Sequence, residues 1–119
     1  MMLDIEQYRG LIEKALRYSG GTHNSDDIIQ SVMAGRMQIW PAKNSMAITE
    51  IIVYPRKKAL HVFLAAGDKA ELLDMIDAAR EWGRSQGCTI MTTAGRFGWE
   101  RVLGNVEWKK SMVVLEREI

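Results

Sequence analysis

The fold is decided by the stretch Leu60-His61-Val62-Phe63-Leu64-Ala65-Ala66-Gly67-Asp68-Lys69-Ala70-Glu71-Leu72. Leu60, Val62 and Leu64 alternate with His61 and Phe63, the period-two signature of a strand. Gly67-Asp68 breaks that alternation. From about Lys69 to Gln86 the residues Leu72, Met75, Ile76, Ala79 and Gly83 recur at helical spacing, with Trp82 at the edge. Glu71, Asp74, Asp77, Glu81 and Arg84 take the opposite face, as in a helix with one side on a core. Asp68 stands where a side chain caps a helix N-terminus, and Gly87 where a helix stops. The next β-rich segment, Cys88 to Thr93, follows a helix. That order predicts a strand lying parallel to the one before the helix.

Reading towards the N-terminus, Met46 to Tyr54 is long and β-branched, and Pro55-Arg56-Lys57-Lys58 reads as a turn. Before it, Met37 and Ile39 alternate with Gln38 and Trp40, followed by the turn Pro41-Ala42-Lys43-Asn44-Ser45. Three strands joined by short turns predict an antiparallel meander. Two helices precede it. Asp4 with Gln7 has capping-box spacing before the stripe Tyr8, Leu11, Ile12, Ala15 and Leu16, which Gly20-Gly21 ends. Asn24-Ser25-Asp26-Asp27 opens the second, with Ile28, Ile29, Val32 and Met33 as its expected buried face and Gly35 as its stop. Towards the C-terminus, a short helix is predicted around Trp99 to Leu103 and a last strand from Val106 to about Arg117, with Trp108, Met112 and Val114 on one face. The order α-α-β-β-β-α-β-α-β, with no repeat or linker, predicts a single α+β domain over residues 1–119.

Composition agrees and excludes several classes. Leu, Ile, Val and Phe make up 29 of the 119 residues, above the roughly 20% below which chains stay disordered. The net charge of +1 argues against a dedicated nucleic-acid binder. The excess is local: residues 36–66 carry five basic groups against the single acid Glu50, with Arg56, Lys57 and Lys58 in one turn, read as a solvated hairpin tip. The longest apolar run, Val62 to Ala66, is far too short for a membrane span. One cysteine, Cys88, excludes an intrachain disulfide, and Met1 to Glu6 has no secretory character. These features point to the cytoplasm. His23 and His61 have no metal-ligand spacing, so no metal is expected.

The element order resembles the GNAT N-acetyltransferase superfamily, and in particular its short, divergent phage and prophage members. The resemblance is carried by Arg36-Met37-Gln38-Ile39-Trp40, by Ile48-Thr49-Glu50-Ile51, and by Gly95-Arg96-Phe97-Gly98-Trp99-Glu100-Arg101-Val102-Leu103 with Trp108 and Leu115-Glu116-Arg117-Glu118 after it. It implies a GNAT-like mixed sheet, an antiparallel meander flanked by helices; this sequence departs from the family in that the usual first strand before the first helix is absent. It also implies acetyl-CoA as cofactor, its pyrophosphate cradled at the strand-to-helix turn. The matching residues here are Leu64, Ala65, Ala66, Gly67, Asp68, Lys69 and Ala70. This turn keeps one glycine and places Asp68 where a phosphate sits in the family, so Asp68 reads either as part of a phosphate turn or as a helix cap that repels one.

The chemistry implied by the resemblance is thin. At the position where many family members carry a tyrosine as general acid, this chain has Leu103. Glu50 is the candidate base; its parity places it with Met46, Ile48, Ile52 and Tyr54 on a largely apolar face. Two functions follow as expectations. One is an acetyl-CoA-dependent N-acetyltransferase. The other is a non-catalytic phage protein that keeps the scaffold for virion assembly or protein interaction, located in host cytoplasm or virion, with protein partners and neither nucleic acid nor membrane.

Overall fold

The computed structural model describes residues 3–95, 99, 101, 103 and 107–119. A 3-10 turn at Ile5–Tyr8 leads into α1 (Arg9–Leu16), then α2 (Ser25–Met33), β1 (Gln38–Pro41), β2 (Met46–Val53), β3 (Lys58–Ala66), α3 (Lys69–Ser85) and β4 (Ile90–Thr93). The sheet order is β1-β2-β3-β4; the first two pairings are antiparallel and β3–β4 is parallel. The meander, the helical crossover and the parallel pair are therefore as the sequence predicts. No strand precedes α1 among the described residues.

The helices start where side chains satisfy their orphan N–H groups. In α2, Asn24 and Asp27 form a complete capping box, Asn24 Oδ1 accepting from Asp27 N and Asp27 Oδ2 from Asn24 N, both at 2.9 Å. Asp4 caps differently from its spacing with Gln7: its carboxylate accepts from Glu6 N at 3.1 Å, which closes a 3-10 turn and not a capping box. Arg9 then ties this corner together, donating to Glu6 at 2.8 Å, to Ser25 at 2.7 Å and to Asp26 at 2.9 Å. Hydrogen bonds to Glu6 and then Asp26 raise its pKa above the ordinary arginine value.

Two apolar clusters sandwich the sheet. On one side Ile5, Ile12, Leu16 and Ile28 pack on Met46, Ile48 and Leu64. On the other, Leu72 and Met75 of α3 pack on Ala47, with Trp40, Ala65 and Trp99 beside them. Gly83 lets α3 approach β3, since a Cβ there would sit 3.0 Å from Leu60 Cδ2. Burying side chains of this size gains about 1.5–3 kcal/mol each. The buried hydroxyl of Thr49 is satisfied, accepting from Trp40 Nε1 and donating to Gln38 Oε1, both at 2.9 Å.

Three further details differ from the sequence reading. Met33, placed on the buried face of α2, is 76% exposed; it is the last residue of the helix, where the chain already turns toward Gly35. Lys58 is not part of a solvated tip: its Nζ donates to Gln86 O at 2.6 Å, so it caps the C-terminus of α3 as a cation suits a negative helix end. The expected last strand is not formed by residues 107–119, which have no strand structure. Met112, Val113, Val114 and Leu115 are exposed there, because no strand edge meets them and β-branched composition alone does not make a strand. Of the predicted Trp99–Leu103 helix, Trp99, Arg101 and Leu103 are helical; Glu100 and Val102, like Arg96, Phe97, Gly98 and Val106, lie outside the described residues.

Candidate functional site

The parallel pairing of β3 and β4 runs only from Ala59↔Ile90 to Val62↔Thr93. There β4 ends, while β3 continues to Ala66 against β2. Thr93 Oγ1 donates to the Val62 carbonyl at 3.0 Å, which pins the last point of contact. Beyond it the two segments separate and a cleft of about 920 Å3 opens between them. Phe63, Leu64, Ala65, Ala66 and Gly67 form one wall, Thr93, Ala94 and Gly95 the other, with Leu72 and Ile76 of α3 below. This volume suits an extended small molecule.

A bulge shapes the β3 wall. Ile48 pairs with Leu64 but Thr49 with Val62, so Phe63 is the extra residue. In consequence the consecutive residues Phe63 and Leu64 both pack toward α1 and α2, whereas strict alternation would have separated them. The His23 ring lies edge-on to Phe63 at 4.8 Å and holds it.

The turn at the end of β3 is built around Gly67. Its φ is +123°, and a Cβ would collide with the Asn44 carbonyl oxygen and with Ser45, so only glycine fits. Asp68 caps α3, accepting from Glu71 N at 3.1 Å. Ser45 Oγ accepts from Asp68 N at 2.7 Å and donates to Glu71 Oε1 at 2.6 Å. Of the stretch Leu64 to Ala70, the first four residues and Lys69 line the cleft; Asp68 and Ala70 do not. The helix end that would receive an anion thus holds two carboxylates, with Lys69 as the first residue of the helix.

A polar row crosses the sheet at the inner end of the cleft. Glu50 on β2 is paired in register with His61 on β3, and His61 with Thr92 on β4. His61 Nδ1 and Thr92 Oγ1 are 2.9 Å apart. Burial pushes the His61 imidazole below the ordinary 6.5, and the Glu50 charge partly offsets this. His61 lines the cleft; Glu50 does not. In the sequence Glu50 stands out as the single acid of residues 36–66, whereas His61 carries no local signal of a role. Counting back from the hairpin turn, where Tyr54 N donates to Lys57 O at 2.8 Å, would have paired them.

Leu103 is buried and lines the same cleft as Trp99 and Trp108. It offers no proton to a leaving group. Trp40 and Trp82 pack edge-to-face at 5.8 Å on the α3 side. Cys88 is a half-buried free thiol. Among the described residues, no three of His, Cys, Asp and Glu group in a way that could hold a metal ion, and no helix is long and apolar enough to cross a membrane.

An α+β domain with a mixed sheet, a helical crossover and a parallel pair that opens into a cleft is the fold of the GNAT acetyltransferases. The chain is similar to the aminoglycoside N-acetyltransferase AAC(6')-Iy in complex with CoA, with TM-score 0.72 and 17% identity over 96% of this chain and 88% of that one. It is similar to a probable acetyltransferase, with TM-score 0.72 and 7% identity over 97% and 90%. A transcriptional regulator from Bacillus halodurans C-125 shares the fold at TM-score 0.53 and 13% identity over 92% and 94%. At such identities the likeness carries the fold and not the activity. No family model and no curated protein sequence matches the chain.

Proposed function

We propose that this protein binds an acyl-CoA in the cleft between β3 and β4 and transfers the acyl group to an amine. The observation that carries this reading is the end of pairing at Val62↔Thr93, which leaves the β3 edge from Phe63 to Ala66 facing a cleft of about 920 Å3. The solved relative with CoA bound has the same fold. Leu64, Ala65, Ala66 and Gly67 would flank the arm, and Lys69 with the N–H groups of Lys69 and Ala70 would meet the pyrophosphate. The bound acyl-CoA supplies the activated acyl group; the chain supplies the binding wall and, on the Glu50 side, the basic groups. A thermal melt with acetyl-CoA tests the reading. Ligand that binds only the folded chain raises its melting temperature with concentration; an unchanged midpoint at millimolar acetyl-CoA contradicts it.

A second reading is favoured by one observation: the Asp68 carboxylate already caps the helix end that would receive the pyrophosphate, and Glu71 adds a second negative charge. Together with Leu103 in the proton-donor position, this suits a protein that keeps the scaffold without the chemistry. In that case it serves virion assembly or protein interaction in a phage or prophage setting. Its absence from purified particles and from assembly intermediates would count against this reading.

A further inference from the structure

We propose that His61, held by Thr92 and faced by Glu50, is the group that takes the proton from the acceptor amine; this rests on the acyl-transfer reading above. The titratable side chains that line the cleft among the described residues are Lys14 and Tyr18 from α1 and its end, Lys69 from α3, and His61 from β3. Of these only an imidazole is both a competent base and largely neutral near pH 7. It sits on β3 two residues before the bulge at Phe63, at the end of the cleft where the strands begin to part.

Its two ring nitrogens have different surroundings. Nδ1 is 2.9 Å from Thr92 Oγ1. With Nδ1 carrying the hydrogen and donating to that hydroxyl, Nε2 keeps its lone pair for a substrate proton. Glu50, opposite His61 in the antiparallel register, then faces the positive ring that results. This divides the basic side of the site into two roles. His61 accepts the proton, and Glu50 stabilises it there.

The step balances. An ammonium acceptor gives one proton to His61 Nε2, and its freed lone pair forms the N–C bond to the thioester carbonyl. The C–S bond breaks, and the thiolate leaves with the bonding pair and is protonated by water. The amide nitrogen sheds its remaining extra proton to solvent.

The test uses the whole chain, His61→Asn and Glu50→Gln, with acetyl-CoA and a panel of primary amines. Asparagine retains a group that can bond Thr92 while removing Nε2. Binding of acetyl-CoA is read by calorimetry, thiol release by its rate against pH, and the imidazole nitrogens by NMR. The chain has two histidines, so His61→Asn leaves only the His23 signals and assigns the rest. The expected result is unchanged acetyl-CoA affinity in His61→Asn, a rate lower by about 100-fold, and loss of the acid limb of the pH profile. In the wild type, His61 should show a protonated Nδ1 and a bare Nε2 near neutrality, with its titration moving down in Glu50→Gln. A His61→Asn variant that keeps both rate and acid limb overturns the proposal and leaves acyl transfer standing. So does an NMR signature of the opposite tautomer. Acetyl-CoA binding without turnover of any amine overturns the role of His61, and failure to bind acetyl-CoA overturns the reading beneath it.

Discussion

Ser45 joins the β1–β2 turn to the start of α3: its hydroxyl donates to Glu71 Oε1 at 2.6 Å while accepting from the backbone N–H of Asp68 at 2.7 Å. The residue is fully buried. The Ala substitution at this site therefore leaves the Asp68 N–H without its side-chain acceptor and takes one of two donors from Glu71 Oε1, which keeps the Asn44 N–H at 3.1 Å. A loss of about 1–3 kcal/mol is expected for Ser45→Ala, read as a lower denaturant midpoint at unchanged slope.

Gly67→Ala should be worse. The positive φ is strained for any side chain, and the new Cβ would press on backbone atoms of Asn44 and Ser45, which cannot rotate away. The turn between β3 and α3 must shift to admit it. Destabilisation of at least about 2 kcal/mol is expected in equilibrium unfolding. By contrast Gly10→Ala, with nothing near its Cβ and a place inside α1, should stabilise slightly.

Asp68 separates the two functional readings. Asparagine caps helices about as well as aspartate, so Asp68→Asn should leave the fold intact. It removes one negative charge from the helix end. If that end meets a pyrophosphate, CoA affinity should rise about two- to fivefold, the size of a charge–dipole contribution. Affinity equal to the wild type in calorimetry would place the pyrophosphate elsewhere.

The histidine makes stability depend on acid. Burial lowers the folded pKa of His61 below 6.5, so in the pH range between the two values the unfolded chain binds more protons than the folded one. Stability from this group is complete above about pH 6.5 and is lost as pH falls toward the folded pKa. The sign follows from a neutral imidazole being favoured in the fold. Wild type should lose stability over this window, and His61→Asn should lose less; equal slopes in unfolding titrations at several pH values would contradict it.

The meander, the crossover and the Asp68 cap were legible in the sequence because each rests on local signals: alternation from Leu60 to Leu64, a break at Gly67, an oxygen at the cap position. The tail was not. Val113 and Val114 favour a strand anywhere, but a strand needs an edge to pair with, and no local signal supplies one. The bulge at Phe63 was equally hidden, since it depends on how β2 and β3 register against each other. So was the polar row: Glu50 was legible as the only acid of the meander, whereas His61 gained meaning only when pairing set it between Glu50 and Thr92. The cleft itself follows from β4 being shorter than the strand it flanks, a matter of where two ends fall.

Acyl transfer by this protein stands on an acyl-CoA entering the space between β3 and β4. Calorimetric titration of acetyl-CoA into the wild type and into Ala94→Phe tests it most directly. Ala94 lines the cleft from an exposed position, so a larger side chain there blocks the space without burdening the core. Saturable binding by the wild type, lost in a variant that melts at the same temperature when unliganded, is the predicted result. No heat of binding with the wild type at millimolar ligand, or equal binding by both proteins, would contradict the account.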